Sequence, residues 1–525
     1  MKKIAKIISA LLVVMLVMTS FAVPSFAAGE DYLSYTEYSS YAKLTKCLSG
    51  ARGVINIPST YNGLPVKAIA NGAFSNCNLV TEVTIPSSVT TIEQNAFDSC
   101  TSLEKVTFAG TECDIGSAAF IHCSGLKEIT LPSSLKEIPN EAFSDCTSLE
   151  KILIPSTVTT IGREAFKMCS ALSYIGIPAS VKAIRANAFL GCSSIISFTV
   201  DEGNTVYTAS NGCLYGPFES SYDSEVSNAV TDKTLIQYPN ARTATSVVVD
   251  SGTLRIADYA FGDNKYLTQI VLPNGLKSIE AFAFYNCTAL SDITIPSTVT
   301  SIGSQAFAKT TALKSITVPG SVTSLESVFY ASGIESVVLS SGVKTIGTRC
   351  FESCKSLKSV SIPETVTKIG IGAFYGCSAL TSLTVPTTVT SIGSSAFADC
   401  SSLTLTVYSG STAHTYAQNN SIPYVIAGAS STVKEISVYS MPSKTSYYYK
   451  ENVDTSGLVL LAVKADGTTE LVSSGYSISP STLKETGTVK VSVSYGGCTT
   501  SFNVSVSYAW WQWLIRIFLL GIIWY

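Results

Sequence analysis

Apolar and polar positions recur along most of this chain with a period of 22 or 23 residues. A phenylalanine, usually preceded by alanine, stands at Phe74, Phe97, Phe120, Phe143, Phe166 and Phe189, each 23 residues after the last. The series resumes at Phe261, Phe284, Phe307, Phe329, Phe351, Phe374 and Phe397, in steps of 23 or 22, which makes thirteen anchors. Between anchors the apolar residues keep fixed offsets. Leu149, Ile152 and Ile154 precede Pro155, and Leu357, Val360 and Ile362 precede Pro363. The last two apolar positions alternate with polar ones, which predicts a short strand with one buried face. The proline then ends the strand where no further ladder N–H is needed. A second apolar set follows, such as Val158, Ile161 and Ala165 leading to Phe166. One unit thus supplies two buried edges and a turn but encloses no core, so only stacking can bury it.

The repeat, written LxxIxIPxxVxxIGxxAFxxC, resembles the BspA-like leucine-rich-repeat family of bacterial surface and secreted proteins over roughly residues 45–425. The resemblance implies a mainly β fold: a leucine-rich-repeat solenoid of about 13 coils with short parallel strands. The segment 53–74 is similar to the family's entry unit and 406–427 to its closing unit. Past the spacer GASST the texture changes to short alternating strands at 436, 458, 476, 489 and 501, with turns at Asp466-Gly467 and Gly496-Gly497. This stretch resembles bacterial Ig-like domains and predicts a small β-sandwich.

The expected organisation is a signal peptide over 1–27, an N-terminal cap over 28–57 and the solenoid over 58–427, with an insertion at 201–248 and a C-terminal cap at 403–427. A linker at 428–432, the Ig-like domain at 433–507 and a hydrophobic Trp-rich tail at 508–525 complete it. The start carries three lysines, an apolar run from Ile7 to Val17 and small residues at Ser25 and Ala27, the pattern of an export signal. All four tryptophans, Trp510, Trp511, Trp513 and Trp524, lie in the tail, where aromatics flank aliphatics as at a membrane interface. As a helix, Trp510 to Tyr525 would span only about 22 Å, short of a bilayer core of about 30 Å.

Ten of the thirteen units place a cysteine three residues after the phenylalanine: Cys77, Cys100, Cys123, Cys146, Cys169, Cys192, Cys287, Cys354, Cys377 and Cys400. Neighbouring coils would bring equivalent Cα atoms within disulfide range. Yet Cys287 lies between Asn264 and Thr310 in this column, and stacked equivalent side chains point the same way. A single column also gives a line of thiols, where zinc needs a tetrahedron. The pattern therefore predicts small buried groups that fill a turn and donate weakly to backbone. Cys47, Cys113, Cys213, Cys350 and Cys498 stand outside the column, and a bridge among them is left open.

Removing Lys2, Lys3 and Lys6 leaves 31 basic against 37 acidic residues, about −6 overall, spread thinly along the chain. No basic patch suited to nucleic acid is present. Two histidines, His122 and His414, leave little material for a histidine triad or zinc site. No local signature couples a nucleophile to a base or pairs two carboxylates for glycoside hydrolysis. The expected cofactor set is empty, and the chain is read as a non-catalytic monomer.

What remains is surface. Strand residues between the buried positions should form an exposed face, whose candidate binding residues are Thr84, Lys105, Thr107, Glu128, Thr130, Lys151, Tyr174, Thr294, Thr317 and Thr384. Its first charges alternate in sign from coil to coil, which favours mutual pairing. A candidate binding loop in the insertion carries Phe218, Tyr222 and Asp223, after an Asn211-Gly212 hairpin signal. The resemblance implies an exported cell-surface or extracellular binding protein, adhering to host or neighbouring-cell proteins through the solenoid. The alternative is a carbohydrate-binding accessory protein of the envelope or of fibre degradation. In either case the partner is a protein or glycan on a cell or matrix surface, with membrane or envelope association through 508–525.

Overall fold

The computed structural model describes residues 32–48, 50–218, 230–427, 432–465 and 467–522, with side chains at 218, 230–232 and 518–522 not described. The expected signal peptide, residues 28–31 of the cap, Tyr222 and Asp223 of the loop, residues 428–431 of the linker, Asp466 and residues 523–525 of the tail lie outside these. Contacts divide the chain into two units. The first runs through Leu405 and takes in Thr415–Pro423; the second holds Thr406–His414 and the chain from Tyr424.

The first unit is a β-solenoid. Each coil contributes one strand of two to six residues to an outward parallel face, which is divided into several ladders, and most contribute a two-residue strand to an opposite face. Seven main-sheet strands run in chain order from Gly53–Asn56 through Val80–Ile85, Lys105–Phe108, Glu128–Thr130, Lys151–Leu153 and Tyr174–Ile177 to Ser197–Val200. Opposite them, Glu137–Ile138, Thr160–Ile161 and Ala183–Ile184 pair in parallel register. The apolar set that recurs in the sequence faces inward from both sheets, with Leu149, Ile152, Val158 and Ile161 buried.

The phenylalanines form a column. Successive rings from Phe74 to Phe189, and again from Phe261 to Phe397, stack with centroids 4.7–5.8 Å apart. Each such pair contributes about 0.5–1.5 kcal/mol beyond its buried area. The backbone beside each ring pays a conformational cost. In most coils two residues flanking the phenylalanine take positive φ, as at Glu164 (55°) and Met168 (59°) around Phe166. Inter-coil hydrogen bonds hold them there, with Glu164 N–H donating to Ala186 O (3.1 Å) and Met168 N–H to Leu190 O (2.7 Å). The glycine of the Ile-Gly pair answers a different need: a Cβ on Gly162 would lie 2.5 Å from the backbone nitrogen of Asn140.

At the N-terminal edge an antiparallel hairpin, Leu33–Glu37 with Ala42–Cys47, extends the opposite sheet and covers its first strand, Leu64–Ile69. Such covering removes an open edge that would otherwise template further pairing. At the other end Tyr416 lies edge-on to Phe397, and its hydroxyl accepts the N–H of Ala396 at 3.0 Å.

The insertion rejoins the stack. Thr208–Ser210 and Cys213–Phe218 form the hairpin expected at Asn211-Gly212, both in the left-handed region (φ 49° and 73°). Cys213–Phe218 then pairs antiparallel with Val230–Gln237, which itself pairs parallel with Arg255–Ile256 of the next coil. Tyr238 follows and stacks on Phe261 at 5.3 Å, taking the place of a column phenylalanine.

The second unit contains two antiparallel-rich sheets. Val433–Ser440, Val459–Lys464 and Thr469–Val472 make one; Ser446–Tyr448, Cys498–Ser507, Gly487–Tyr495 and Ser477–Ser479 make the other. Leu460, Val491, Val493, Phe502 and Val504 fill the space between them. A helix, Trp510–Ile522, follows; its Gln512 donates to Tyr449 O at 3.1 Å.

Candidate functional site

The main sheet fixes the outward column by register. Lys105 pairs with Glu128, Glu128 with Lys151, and Lys151 with Tyr174. Lys105 Nζ and Glu128 Oε1 are 3.3 Å apart, an exposed ion pair worth roughly 0–1 kcal/mol. Thr84 pairs with Thr107, and Thr130 with Leu153. These residues thus share one seven-stranded sheet. Thr294, Thr317 and Thr384 are also exposed but lie beyond the insertion, outside the seven-stranded sheet: Thr317 and Thr384 sit in later ladders, and Thr294 follows directly on the strand Asp292–Ile293. Phe218 closes a strand of the insertion hairpin.

The face also carries apolar side chains that the candidate set leaves out. Leu153 is 83% exposed and lies two residues beyond Lys151, whose register partner Tyr174 is 56% exposed. The signal for Leu153 was an apolar residue at a register position held by threonine in the three preceding coils, Thr84, Thr107 and Thr130. Further along, Val248, Val271 and Val338 stand in the same outward register.

The cysteines face the interior. Nine of the ten column thiols donate to the carbonyl oxygen of the preceding coil's phenylalanine, at 2.9–3.2 Å; Cys77 donates instead to Cys47 O at 3.6 Å. Burial pushes the Cys192 thiol up to about 12 and that of Cys354 up to about 11. Cys146 and Cys169 are likewise raised well above the ordinary value by burial. Thiols held protonated in this way are poor nucleophiles and poor metal ligands. All fifteen cysteines are free, including the five outside the column. Where the column lacks a thiol the pattern changes: Thr310 donates to Phe307 O of its own coil (2.8 Å), and Asn264 accepts from the N–H groups of Tyr266 and Leu267.

Among the described residues, no group of three or more His, Cys, Asp or Glu side chains could hold a metal ion. His122 contacts Asp98 at 3.1 Å on the surface, and His414 accepts from Gly410 N–H.

The solenoid matches the BspA type leucine rich repeat region, in six copies, over residues 66–210, 238–328 and 326–441. The chain belongs to this family. The BspA-type repeats are followed by a match to the bacterial Ig-like domain, group 3, over residues 440–506. Among solved structures, a leucine rich cell surface protein from Faecalibacterium prausnitzii is 30% identical, covering 75% of this chain and 96% of that one, with a TM-score of 0.48. A leucine-rich repeat protein from Eubacterium ventriosum is 24% identical over 70% of this chain and 94% of its own (TM-score 0.49). The pneumococcal vaccine antigen PcpA is 19% identical over 76% of this chain and 97% of its own (TM-score 0.43). No curated protein matches the chain.

Proposed function

We propose that this BspA-type protein is an exported, non-catalytic binding protein that adheres to host or neighbouring-cell proteins through the outward face of its main sheet. The observation that carries this reading is the pair of Leu153 and Tyr174, 83% and 56% exposed, on a seven-stranded sheet whose neighbouring outward positions hold Lys105, Glu128, Lys151, Thr84, Thr107 and Thr130. Exposed apolar groups rimmed by polar ones mark interaction surfaces, and tyrosine is enriched where binding energy concentrates. Lys105, Glu128 and Lys151 then form the polar rim, and the extended sheet offers the area that a protein partner needs.

The Trp-rich helix supports retention at a membrane surface. Trp510, Trp511, Trp513, Leu514, Ile515 and Ile517 are all exposed, with Gln512 and Arg516 as the polar breaks in the described part. A helix apolar around most of its circumference is stable only against other apolar matter. No helix among the described residues is long and apolar enough to cross a membrane, which favours an interfacial position.

The test is surface plasmon resonance of the purified chain against a panel of extracellular-matrix and cell-surface proteins. A protein ligand should bind, and the Leu153→Asp/Tyr174→Ala double variant should bind it at least tenfold more weakly with unchanged circular dichroism. Binding unaffected by the double variant would remove the sheet face from the proposal.

A further inference from the structure

A concavity lies away from the outward sheet. Where the insertion rejoins the stack, a groove of about 510 Å³ opens on the turn side of the coils, lined among others by Met168, Ser193, Asn240, Asp263, Tyr266 and Asn286. Its volume falls within the range of small-ligand sites, about 300–1,000 Å³. The groove exists because the coil register lapses. Tyr238 replaces the phenylalanine, Pro239 follows it, and Ala241 stands where the column cysteine would be.

Asn240 mends part of the break. Its Nδ2 donates to Gly262 O at 2.8 Å, standing in for the backbone N–H that makes the corresponding inter-coil bond elsewhere, as Asn76 N–H does to Asp98 O (2.9 Å). Its Oδ1 is buried and has no partner. Asn240 itself lines the groove. On the two coils that follow, Asn286 Nδ2 donates to Asp263 Oδ1 at 2.7 Å, which holds a carboxylate and an amide side by side. Tyr266 is 45% exposed and Met168 43% exposed. The sulfur of Met168 lies over Gly191, where a Cβ would come within 2.3 Å of it.

We infer that this groove binds a neutral oligosaccharide. The chemistry matches on three counts. An exposed tyrosine ring and a thioether offer a surface for the C–H face of a pyranose. The Asp263 carboxylate and Asn286 amide, held together by their hydrogen bond, and the hydroxyl of Ser193 offer donors and acceptors for vicinal hydroxyls. One anion, Asp263, and one cation, Lys265, line the groove together, which gives no net charge to select a charged ligand. The site is separate from the outward sheet, and the inference does not depend on the sheet's having a protein partner.

Isothermal titration of the full chain with neutral hexasaccharides of β-glucan, mannan and galactan, and with an acidic oligogalacturonide as the charged counterpart, tests it. At least one neutral hexasaccharide should bind. Tyr266→Ala and Asn240→Ala should each weaken that binding tenfold or more, Tyr266→Phe should stay within about threefold, and Leu153→Asp should leave it unchanged. Thermal unfolding of each variant reports whether the coil survives, and Tyr266→Phe with Leu153→Asp keeps the comparison meaningful if Asn240→Ala does not fold. No neutral ligand binding at millimolar concentration, binding of the acidic oligosaccharide alone, or full binding by Tyr266→Ala would each overturn the inference.

Discussion

The thiol of Cys169 donates to the carbonyl oxygen of Phe143, one coil back, at 3.1 Å. Phe143 N–H in turn donates forward to Ala165 O at 2.9 Å. The same phenylalanine therefore links to the coil ahead through its backbone and ring, and also accepts the thiol from that coil.

Replacing Cys169 should reveal what that link contributes. Cys169→Ala leaves the Phe143 carbonyl without its thiol donor and opens a small void, so unfolding should require about 1–3 kcal/mol less. Cys169→Ser keeps the size and a donor and should lose less, whereas Cys169→Val overpacks a fully buried turn. Chemical denaturation followed by circular dichroism gives the order. A serine variant less stable than the alanine variant would argue against the hydrogen bond.

The thiols should also be silent until the fold opens. Fourteen of the fifteen cysteines are buried or nearly so in the solenoid, and the fifteenth, Cys498, is half-buried in the second unit. Titration with an aromatic disulfide reagent should find little reaction in the native protein and close to fifteen thiols in denaturant. Extensive disulfide content would contradict the stacked, parallel geometry of the column.

Alkaline pH should destabilise the protein through these same groups. Below the ordinary thiol value of 9.0, both folded and unfolded chains are protonated and the contribution is fully present. Above it the unfolded chain ionises while buried Cys192 holds its proton up to about 12, so stability falls as pH rises, by about 1.4 kcal/mol per pH unit for each such thiol. The denaturation midpoint should drop steeply between about pH 9 and 11, and Cys192→Ala should flatten the slope relative to its own neutral-pH value. A profile level across that range would show that ionisation of the column does not limit the fold.

Removing a ring should unzip the stack locally. Phe166 stacks on Phe143 and Phe189, and Phe166→Ala leaves a cavity costing about 3–5 kcal/mol. In a solenoid each coil contacts only its neighbours. Hydrogen exchange should therefore accelerate first around residues 143–189 and last near Phe351 and Phe374. Uniform acceleration across all coils would indicate a single cooperative unit.

Truncation at residue 507 tests the tail. Cells expressing the full chain should retain it in the envelope fraction, and cells expressing the shortened chain should release it to the medium. Equal partitioning would remove residues 508–525 from any anchoring role.

The sequence by itself determined the coil. Phenylalanine every 22 or 23 residues, an alternating strand and a proline after it encode which side of each short segment is buried, and that information is local. Leu149, Ile152 and Phe166 fall inward because their spacing allows no other shared face. The cysteine column was legible for the same reason, since a small group at a constant offset must sit at a constant place in a stack.

Only the tertiary structure decided what lies between coils. The left-handed residues at Glu164 and Met168 carry no glycine signal, because inter-coil hydrogen bonds hold them. The return of Val230–Gln237 into the stack, with Tyr238 in a phenylalanine's place, depends on pairing with Arg255–Ile256, a partner no local pattern names. The groove at Asn240 follows from that mismatch. It arises where one turn of the stack is made by a chain segment outside the repeat, and its side chains come from coils that are distant in sequence and meet only through stacking.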